Sequence, residues 1–345
     1  MKTCLILPTI RPDSFNRFAQ EWGPIADWDT TFVVYDGEEV PPGIDYGVLP
    51  DTQVMDRNTV RAMFGEDGAK AFNQVNSSCR GAAFVRAWHE GFDVMATLDD
   101  DCYPERGKGG LMLQHLEAMD NTPKWCESIP RTRTRGFPYY CDTPLKTVMA
   151  NHGLWCGVAD FDGITQMAFG VRDDFDPPRY TRVMPRGQFW PFCSMNFAIR
   201  REAVPFIFAP PNSAAEDSRF DRMDDIWFGV ILEAMLEKLG RDITCGPPII
   251  RHERASNVLN NMKQEAPGVF ENEQFYKVIQ LAMDTHVGLE GDGFNWESDP
   301  IKFMRQLAVG IGWAATTDLV KGASRKAWYR KCADQMMLWC GNFQR

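Results

Sequence analysis

The chain has 345 residues, of which 44% are hydrophobic and 12% aromatic, so it can bury a large core in one or two domains. Its formal net charge of −10 gives no basic footprint for nucleic acid, and its apolar stretches are too short to span a bilayer. We therefore expect no nucleic-acid partner and no membrane span.

The cysteines and the N-terminus indicate the compartment. The ten cysteines are scattered and form no CxxC pair, which is typical of reduced core residues. The first residues lack the long apolar region and the cleavage site of a signal peptide, and we read them as the first strand. The sequence therefore predicts a cytoplasmic protein.

The first hundred residues alternate between strand-like and helix-like segments. Three apolar segments predict strands: Cys4–Leu7, Thr31–Tyr35 and Val94–Leu98. A helix begins at Ser77 or Ser78 and ends near Glu90, because its apolar positions share one face. This alternation predicts an α/β fold with a parallel sheet, in which ligands bind beyond the carboxyl ends of the strands.

The remainder of the chain is predicted to be mainly helical. Helices are expected in five segments: from Gly107–Gly110 to about Met119, Asp224–Leu239, 271–284, 300–309 and 324–340. Strands are expected at Cys193–Ile199 and Ile243–Ile250. The second of these contains Pro247 and Pro248, which cannot donate ladder hydrogen bonds, so we expect it at an edge or a bend. Residues 121–190 show little periodicity, and such a long segment usually has a function or covers a site.

Three consecutive aspartates, Asp99, Asp100 and Asp101, follow the predicted strand Val94–Leu98. Adjacent carboxylates repel each other unless a cation neutralises them. Asp36 also ends a predicted strand, so two acidic strand ends coincide with the expected crevice. Mg²⁺ and Mn²⁺ prefer oxygen ligands and commonly bridge carboxylates to phosphates. The sequence favours such a metal site over a solvated, aspartate-rich turn.

His252 follows the predicted strand Ile243–Ile250 and could supply a third metal ligand. A lone histidine is more often a hydrogen-bonded structural residue, and the residues alone favour that interpretation.

Several motifs occur along the chain in one order: PTIR, YDG, DRN, SSCR, LDDDCYP, RGFPYY, HGLWCGVADFDGITQ, MPRGQFWPFCSMNFAIRRE, RMDDIWFG and IIRHERASNVLNNMKQE. This order resembles the reversibly glycosylated polypeptides, also called UDP-arabinopyranose mutases. The resemblance runs from about residue 5 to about residue 275. The C-terminal helices resemble no family that we can assign.

The resemblance implies a fold and an activity. The fold would be of the GT-A glycosyltransferase type over residues 1–270, a mostly parallel sheet flanked by helices, with a helical C-terminal extension at 271–345 packed on it. The activity would be interconversion of UDP-arabinopyranose and UDP-arabinofuranose, or of a related UDP-sugar, with a divalent metal such as Mn²⁺ or Mg²⁺.

The resemblance also implies a covalent intermediate on an arginine. In the family, an arginine in an Arg-Gly-Tyr-Pro-Phe segment becomes reversibly glycosylated, and Arg135 in RGFPY matches it. Without the family, Arg135 would be a surface arginine in a basic run. The family has a second arginine seven residues later, where this chain has Asp142. Charge reversal at that position bears on whether the chain is a mutase and on which sugar it takes.

A protonated guanidinium is a poor nucleophile and needs a carboxylate that accepts its proton. Asp224 and Asp225 are the candidates for this catalytic role, although the same pair would also serve as the N-cap and first-turn acid of a helix.

The remaining predicted site residues bind metal and nucleotide. The metal ligands are Asp99, Asp101 and His252. The nucleotide-binding residues are Arg11, Asp36, Asn58, Arg80, Asp99 and Asp100. Two alternatives stay open: a metal-dependent glycosyltransferase that passes the sugar to a separate acceptor, and a non-enzymatic scaffold that only binds. Homo-oligomerisation stays open as well.

Overall fold

The computed structural model describes residues 1–72, 76–105, 109–128, 132, 134–138, 143–171, 173–212, 220, 222–253, 257–288 and 299–344. The strands in these residues are β1 Thr3–Thr9, β2 Thr30–Tyr35, β3 Thr52–Met55, β4 Val94–Leu98, β5 Cys102–Pro104, β6 Val148–Gly157, β7 Arg182–Val183, β8 Asn196–Arg200 and β9 Asp242–His252. The α-helices are α1 Pro12–Trp22, α2 Arg57–Ala69, α3 Cys79–His89, α4 Leu111–Asp120, α5 Gly163–Phe169, α6 Asp224–Lys238, α7 Val258–His286, α8 Pro300–Ala314 and α9 Ala323–Asn342.

All of these strands belong to one mixed sheet in the order β3-β2-β1-β4-β8-β6-β9-β5, with β7 also paired to β9. β3, β2, β1 and β4 are parallel, as predicted. β8 runs antiparallel between β4 and β6, and β5 and β7 run antiparallel to β9. The predicted parallel arrangement therefore holds for the N-terminal half of the sheet, whereas the other half is mixed.

The antiparallel β8 determines where the strands end. Because β8 separates β4 from β6, and β6 is parallel to β9, the strands β4, β6 and β9 all point the same way. The aspartates after β4 and His252 at the end of β9 consequently lie along one edge of the sheet.

Most of the predicted elements are confirmed, although several of their ends differ by a few residues. β4 agrees residue for residue, and α6 begins at Asp224. α7 begins at Val258, well before the predicted start at residue 271, so the predicted boundary after residue 270 falls inside this helix. The helices α1, α2 and α5 and the strands β3, β5, β6 and β7 are not among the predicted elements. Part of the GKGG segment lies outside the described residues, and α4 begins just after it, at Leu111.

Helices cover both faces of the sheet. The larger core lies between one face and helices α3, α6, α7, α8 and α9, while α1 and α4 pack on the other face. The C-terminal helices share the larger core: Trp328 stacks edge-on against Trp227 of α6, and Trp339 packs against Phe72. In the part of the chain described, no helix is both long and apolar enough to cross a membrane.

The prolines of β9 lie at a bend inside the sheet, which was one of the two predicted positions. Pairing with β6 jumps from Gly153–Gly246 to Leu154–Ile249, so Pro247 and Pro248 form a bulge. Prolines lack an N–H, and their carbonyl groups accept hydrogen bonds instead from asparagine side chains. Asn151 Nδ2 donates to Pro247 O (2.9 Å), and Asn196 Nδ2 donates to Pro248 O (3.1 Å).

His115 of α4 joins these two asparagines in one buried network. Its Nδ1 accepts from Asn151 Nδ2 (2.8 Å), and its Nε2 lies 3.2 Å from Asn196 Oδ1, to which it donates. Burial lowers the pKa of His115 to about 3, because a charged imidazole loses its hydration there. The neutral ring is therefore part of the folded structure.

This network gives a testable dependence of stability on pH. Between about pH 6.5 and pH 3 the unfolded chain binds a proton at His115 that the folded chain excludes, so stability falls as the pH falls through this window. His115→Gln removes that proton. Between pH 7.5 and pH 5 the variant should lose about 2 kcal/mol less unfolding free energy than the wild type.

Urea unfolding at both pH values measures the difference, and all other titrating groups cancel in the comparison. The variant should also be less stable at pH 7.5, since it breaks the network. Equal losses of stability in the two proteins would contradict the assignment.

Candidate functional site

The three aspartates form a tight turn between β4 and β5. The backbone N–H of Cys102 donates to the carbonyl of Asp99 (3.1 Å), which closes the turn. Asp100 is almost fully buried and accepts from Thr9 Oγ1 (2.7 Å). Burial raises the pKa of Asp100, and the Arg11 guanidinium opposes that shift. A negative charge at this position therefore depends on the cation beside it.

Two arginines bring positive charge to the turn from different helices. Arg11, at the start of α1, donates to both Asp100 carboxylate oxygens and, at 3.2 Å, to Asp101 Oδ2. Arg80 of α3 is buried and donates to Asp99 Oδ1 (2.8 Å) and to the carbonyl of Ser194 (2.6 Å). Carboxylates raise the pKa of both guanidiniums, so both stay charged.

Strand register places His252 beside Asp101. Cys102 of β5 pairs directly with His252 of β9, and the next residue, Glu253, donates its N–H to Asp101 O (3.1 Å). His252 Nε2 lies 3.9 Å from Asp101 Oδ1. His252 Nδ1 lies 2.9 Å from the carbonyl of Val158, which can only accept, so Nε2 of the neutral ring carries the lone pair.

Asp101 Oδ1 and His252 Nε2 thus place two electron-pair donors 3.9 Å apart, close enough to share one cation. A carbonyl that holds the other imidazole nitrogen is the usual support of a metal-binding histidine. Burial, followed by the charge of Asp99, raises the pKa of Asp101, so a cation at this point would be stabilised. Among the residues that the structure describes, no three His, Cys, Asp or Glu side chains are assembled as a metal site. Further ligands would have to come from substrate oxygens and water.

Asp36 and Asn58, both predicted to bind nucleotide, have different positions. Asp36 follows β2 and accepts from Arg57 Nε and Nη2 (3.0 and 2.8 Å). Burial raises the pKa of Asp36, and Arg57 opposes that shift. Asn58 is exposed, donates to Glu38 O and accepts from Arg61. Asp36 lines the cleft described below, and Asn58 is not among the residues lining it.

α6 begins at Asp224 as predicted, but the predicted N-cap role is wrong: Met223 is the N-cap, and Asp224 and Asp225 both lie in the first turn, in different environments. Asp224 is buried and accepts from the N–H (2.8 Å) and the hydroxyl of Ser77. Asp225 Oδ1 is buried and has no hydrogen-bond partner within the described structure. Burial raises the pKa of both carboxyls, and the charge of Asp224 raises that of Asp225 further, well above its usual range. Asp225 therefore holds a proton to higher pH than an ordinary aspartate.

These side chains line one open cleft of about 710 Å³ beyond the carboxyl ends of the parallel strands. It brings together eight of the predicted residues: Arg11, Asp36, Arg80, Asp99, Asp100, Asp101, Asp224 and Asp225. His252 lies in an adjoining chamber that shares Arg11, Asp99 and Asp101 with the cleft.

Arg135 is exposed and is not among the residues that line the cleft or this chamber. The described residues on either side of its segment make contacts near the opposite ends of the strands. Asp120 before it pairs with Arg200 at the end of β8, and Thr122 O accepts from the N–H of Leu145 (2.9 Å). Asp142 lies outside the described residues.

The sequence interpretation missed four residues of the site: Arg57, Ser77, Arg222 and Gln166. All four lie within quoted motifs: Arg57 in DRN, Ser77 in SSCR, Arg222 in RMDDIWFG and Gln166 at the end of HGLWCGVADFDGITQ. These residues were therefore part of recognisable motifs, but a single sequence does not show which groups an arginine, a serine or a glutamine contacts.

The chain was compared with known proteins. The profile of a family described as "Reversibly glycosylated polypeptide" matches residues 2–289. The chain is 26% identical to "Probable UDP-arabinopyranose mutase 1" of Pisum sativum, covering 97% of this chain and 88% of the pea protein. It is 27% identical to "UDP-arabinopyranose mutase 1" of Arabidopsis thaliana, over 81% of this chain and 78% of that protein. The protein of the same name from Oryza sativa subsp. japonica is also 27% identical, over 81% and 77%.

The contact between Arg80 and Asp99 predicts a measurable coupling. Arg80→Gln leaves Asp99 without its cation, and Asp99→Asn leaves Arg80 without its carboxylate. We expect a coupling energy of about 1–2 kcal/mol, a moderate value because Asp99 is one-third exposed and partly screened.

Chemical denaturation of the wild type, both single variants and the double variant measures this coupling. Strictly additive effects would show that the contact contributes nothing to stability.

Proposed function

The chain belongs to the reversibly glycosylated polypeptide family, and we propose that it is a UDP-sugar mutase that interconverts UDP-arabinopyranose and UDP-arabinofuranose or a related pair. The named relatives support the activity class. The observation that carries the proposal is the cleft, in which an acidic turn and two arginines meet beyond the carboxyl ends of parallel strands. A GT-A type of sheet is part of the proposal.

The order of strands suggests how the nucleotide lies. Along the edge of the sheet, Asp36 follows β2, Arg11 follows β1 and the acidic turn follows β4. We propose that Asp36 accepts from the uracil or ribose, and that Arg11 donates to the diphosphate. Arg11 can do so because a guanidinium has five N–H donors, more than its contacts with Asp100 and Asp101 use.

A divalent cation, Mn²⁺ or Mg²⁺, is part of this proposal. Asp101 and His252 would hold it with help from Asp99, and diphosphate oxygens would supply further ligands. When bound, it would neutralise charge on the departing UDP.

The acid–base role falls to Asp225. Asp224 is committed to Ser77, whereas Asp225 keeps a free oxygen and a raised pKa. A carboxyl that exchanges its proton at such a position suits the opening and closing of a sugar ring. In the covalent form of the mechanism, the guanidine of Arg135 attacks the anomeric carbon, UDP leaves with the bonding electrons, and a carboxylate takes the guanidinium proton.

The position of Arg135 favours one alternative, a glycosyltransferase that passes the sugar to a separate acceptor. Such an enzyme needs the cleft but does not need Arg135. The product formed from UDP-arabinopyranose without any acceptor distinguishes the two activities.

Metal dependence is tested with Asp101→Asn. This variant removes a ligand with little change of volume and relieves repulsion from Asp99, so its thermal unfolding should be unchanged or slightly higher. Isothermal calorimetry should show that Mn²⁺-supported UDP affinity falls at least about tenfold, as loss of supporting groups already costs 10–100-fold at metal sites.

Asp284→Asn, at an exposed position of α7, is the matched control and should bind as the wild type does. If Asp101→Asn binds Mn²⁺ and UDP as the wild type does, Asp101 is not a metal ligand and the acidic turn has only a structural role.

The covalent intermediate is tested by mass spectrometry of the intact protein. After incubation with UDP-arabinopyranose and Mn²⁺, the wild type should carry one added sugar residue, which excess UDP removes. Arg135→Lys keeps the charge but loses the planar two-nitrogen head, so it should bind the UDP-sugar and form no adduct.

Arg330→Lys, on the exposed side of α9, is the control and should form the adduct normally. An adduct that persists in Arg135→Lys would place the nucleophile elsewhere. A wild type that forms no adduct but transfers sugar to an acceptor would establish the transferase.

A further inference from the structure

A glutamine that no motif argument singled out lies beside the acidic turn with an unused acceptor. Gln166 of α5 is 4% exposed. Its Nε2 donates to the carbonyl of Phe161 (2.5 Å), which fixes the orientation of the amide. Its Oε1 is buried and accepts no hydrogen bond from any described group. An unpaired buried amide oxygen costs free energy, so its retention calls for a ligand.

The position of Gln166 is set by a short, firmly held helix. Asp162 caps α5 and accepts from the N–H groups of Ile164 and Thr165 (both 3.0 Å). Gly163 donates its N–H to Glu265 of α7 (2.8 Å). A Cβ atom at Gly163 would lie 2.7 Å from the backbone nitrogen of Met262, so only glycine permits this approach. The amide of Gln166 therefore lies on a fixed wall.

Gln166 lines the chamber that adjoins the nucleotide cleft, a space of about 290 Å³. The chamber shares five residues with the cleft: Arg11, Asp99, Asp101, Arg222 and Asp225. A group attached to a diphosphate at the acidic turn can therefore enter it directly. In the order of strands, the chamber lies beyond β4 on the side of β6 and β9, away from Asp36.

The chamber presents a second unused acceptor. Asp225 Oδ1 is buried and unpartnered among the described groups, and it lines the same space as Gln166. Two unpartnered oxygens that line one space match a ligand that carries several hydroxyl groups. Arg222 at the rim adopts a left-handed backbone with φ of 69°, which residues other than glycine seldom take.

We propose that this chamber receives the sugar ring, and that Gln166 Oε1 accepts a hydrogen bond from one sugar hydroxyl and so helps to determine which sugar binds. This inference rests on the proposed use of a UDP-sugar, and it adds the residue that recognises the sugar. A site built to hydrogen-bond a substrate hydroxyl rejects analogues that lack it, because its own polar group is then left unpaired.

The test measures binding instead of turnover. Isothermal calorimetry in Mn²⁺ compares UDP, UDP-arabinopyranose, and three analogues in which fluorine replaces one sugar hydroxyl at a time. Fluorine cannot donate a hydrogen bond. In the wild type, one replacement should weaken binding about 5- to 30-fold.

Gln166→Met should bind UDP-arabinopyranose more weakly than the wild type does, by the same factor as that fluorine replacement. In this variant, the fluorinated analogue and UDP-arabinopyranose should bind with equal affinity. Its affinity for UDP should equal that of the wild type, because the nucleotide lies in the cleft.

Gln166→Glu tests the acceptor separately. Its burial near Asp160 and Asp225 favours protonation, and a protonated carboxyl can donate to Phe161 O and still accept from the sugar. Gln166→Glu should still bind UDP-arabinopyranose more tightly than the fluorinated analogue. It also keeps the inference testable if Gln166→Met does not fold.

Gln274→Met is the matched control, since Gln274 also donates its amide to a backbone carbonyl, that of Leu319, but lies outside the chamber. It should discriminate as the wild type does. Full discrimination in Gln166→Met, or unchanged affinity for UDP-arabinopyranose, would overturn the inference. UDP-sugar binding without mutase activity would overturn the proposed function alone, and a wild type that binds no UDP-sugar would overturn both.

Discussion

Three carboxylates in one buried turn require positive charge, and the folded chain supplies it from two different helices. Arg11 comes from the N-cap of α1 and Arg80 from the first turn of α3. At separations of a few ångströms, unneutralised charges in this setting would cost several kcal/mol. The turn can therefore keep its shape only if both helices stay where they are, and the position of each helix becomes part of the site.

The C-terminal helices help to hold one of these arginines, which gives them a physical role that their sequence did not suggest. Trp339 of α9 lies against Gly81, the residue after Arg80, where a Cβ atom would come within 2.9 Å of the indole. Trp339 Nε1 also donates to Pro205 O (2.8 Å), which anchors the ring. The contact between α9 and Gly81 therefore helps to hold the part of α3 from which Arg80 reaches Asp99.

That the acidic strand ends lie together could be predicted from the sequence, for a simple physical reason. Aspartates at strand ends are visible as letters, and parallel strands bring their ends together. The position of Asn58 outside the cleft could not be foreseen, because a motif match does not reveal which neighbours a side chain contacts, and Asn58 bonds to Glu38 O and Arg61. The sequence alone could not identify Gln166, because α5 has only seven residues and shows no clear periodicity. The antiparallel β8 was also beyond reach, since strand direction depends on partners distant in the chain.

The bulge in β9 shows how a local break in the strand pairing can determine the position of a candidate metal ligand. In an unbroken ladder from the Gly153–Gly246 pair, Gly157 would face Ile250, four residues further along each strand. The two prolines shift the register, and Gly157 faces His252 instead. This brings the imidazole to the edge of the sheet, where the carbonyl of Val158 fixes its tautomer and Asp101 lies 3.9 Å away. The asparagines that satisfy the proline carbonyls therefore stabilise the position of a residue that they do not touch.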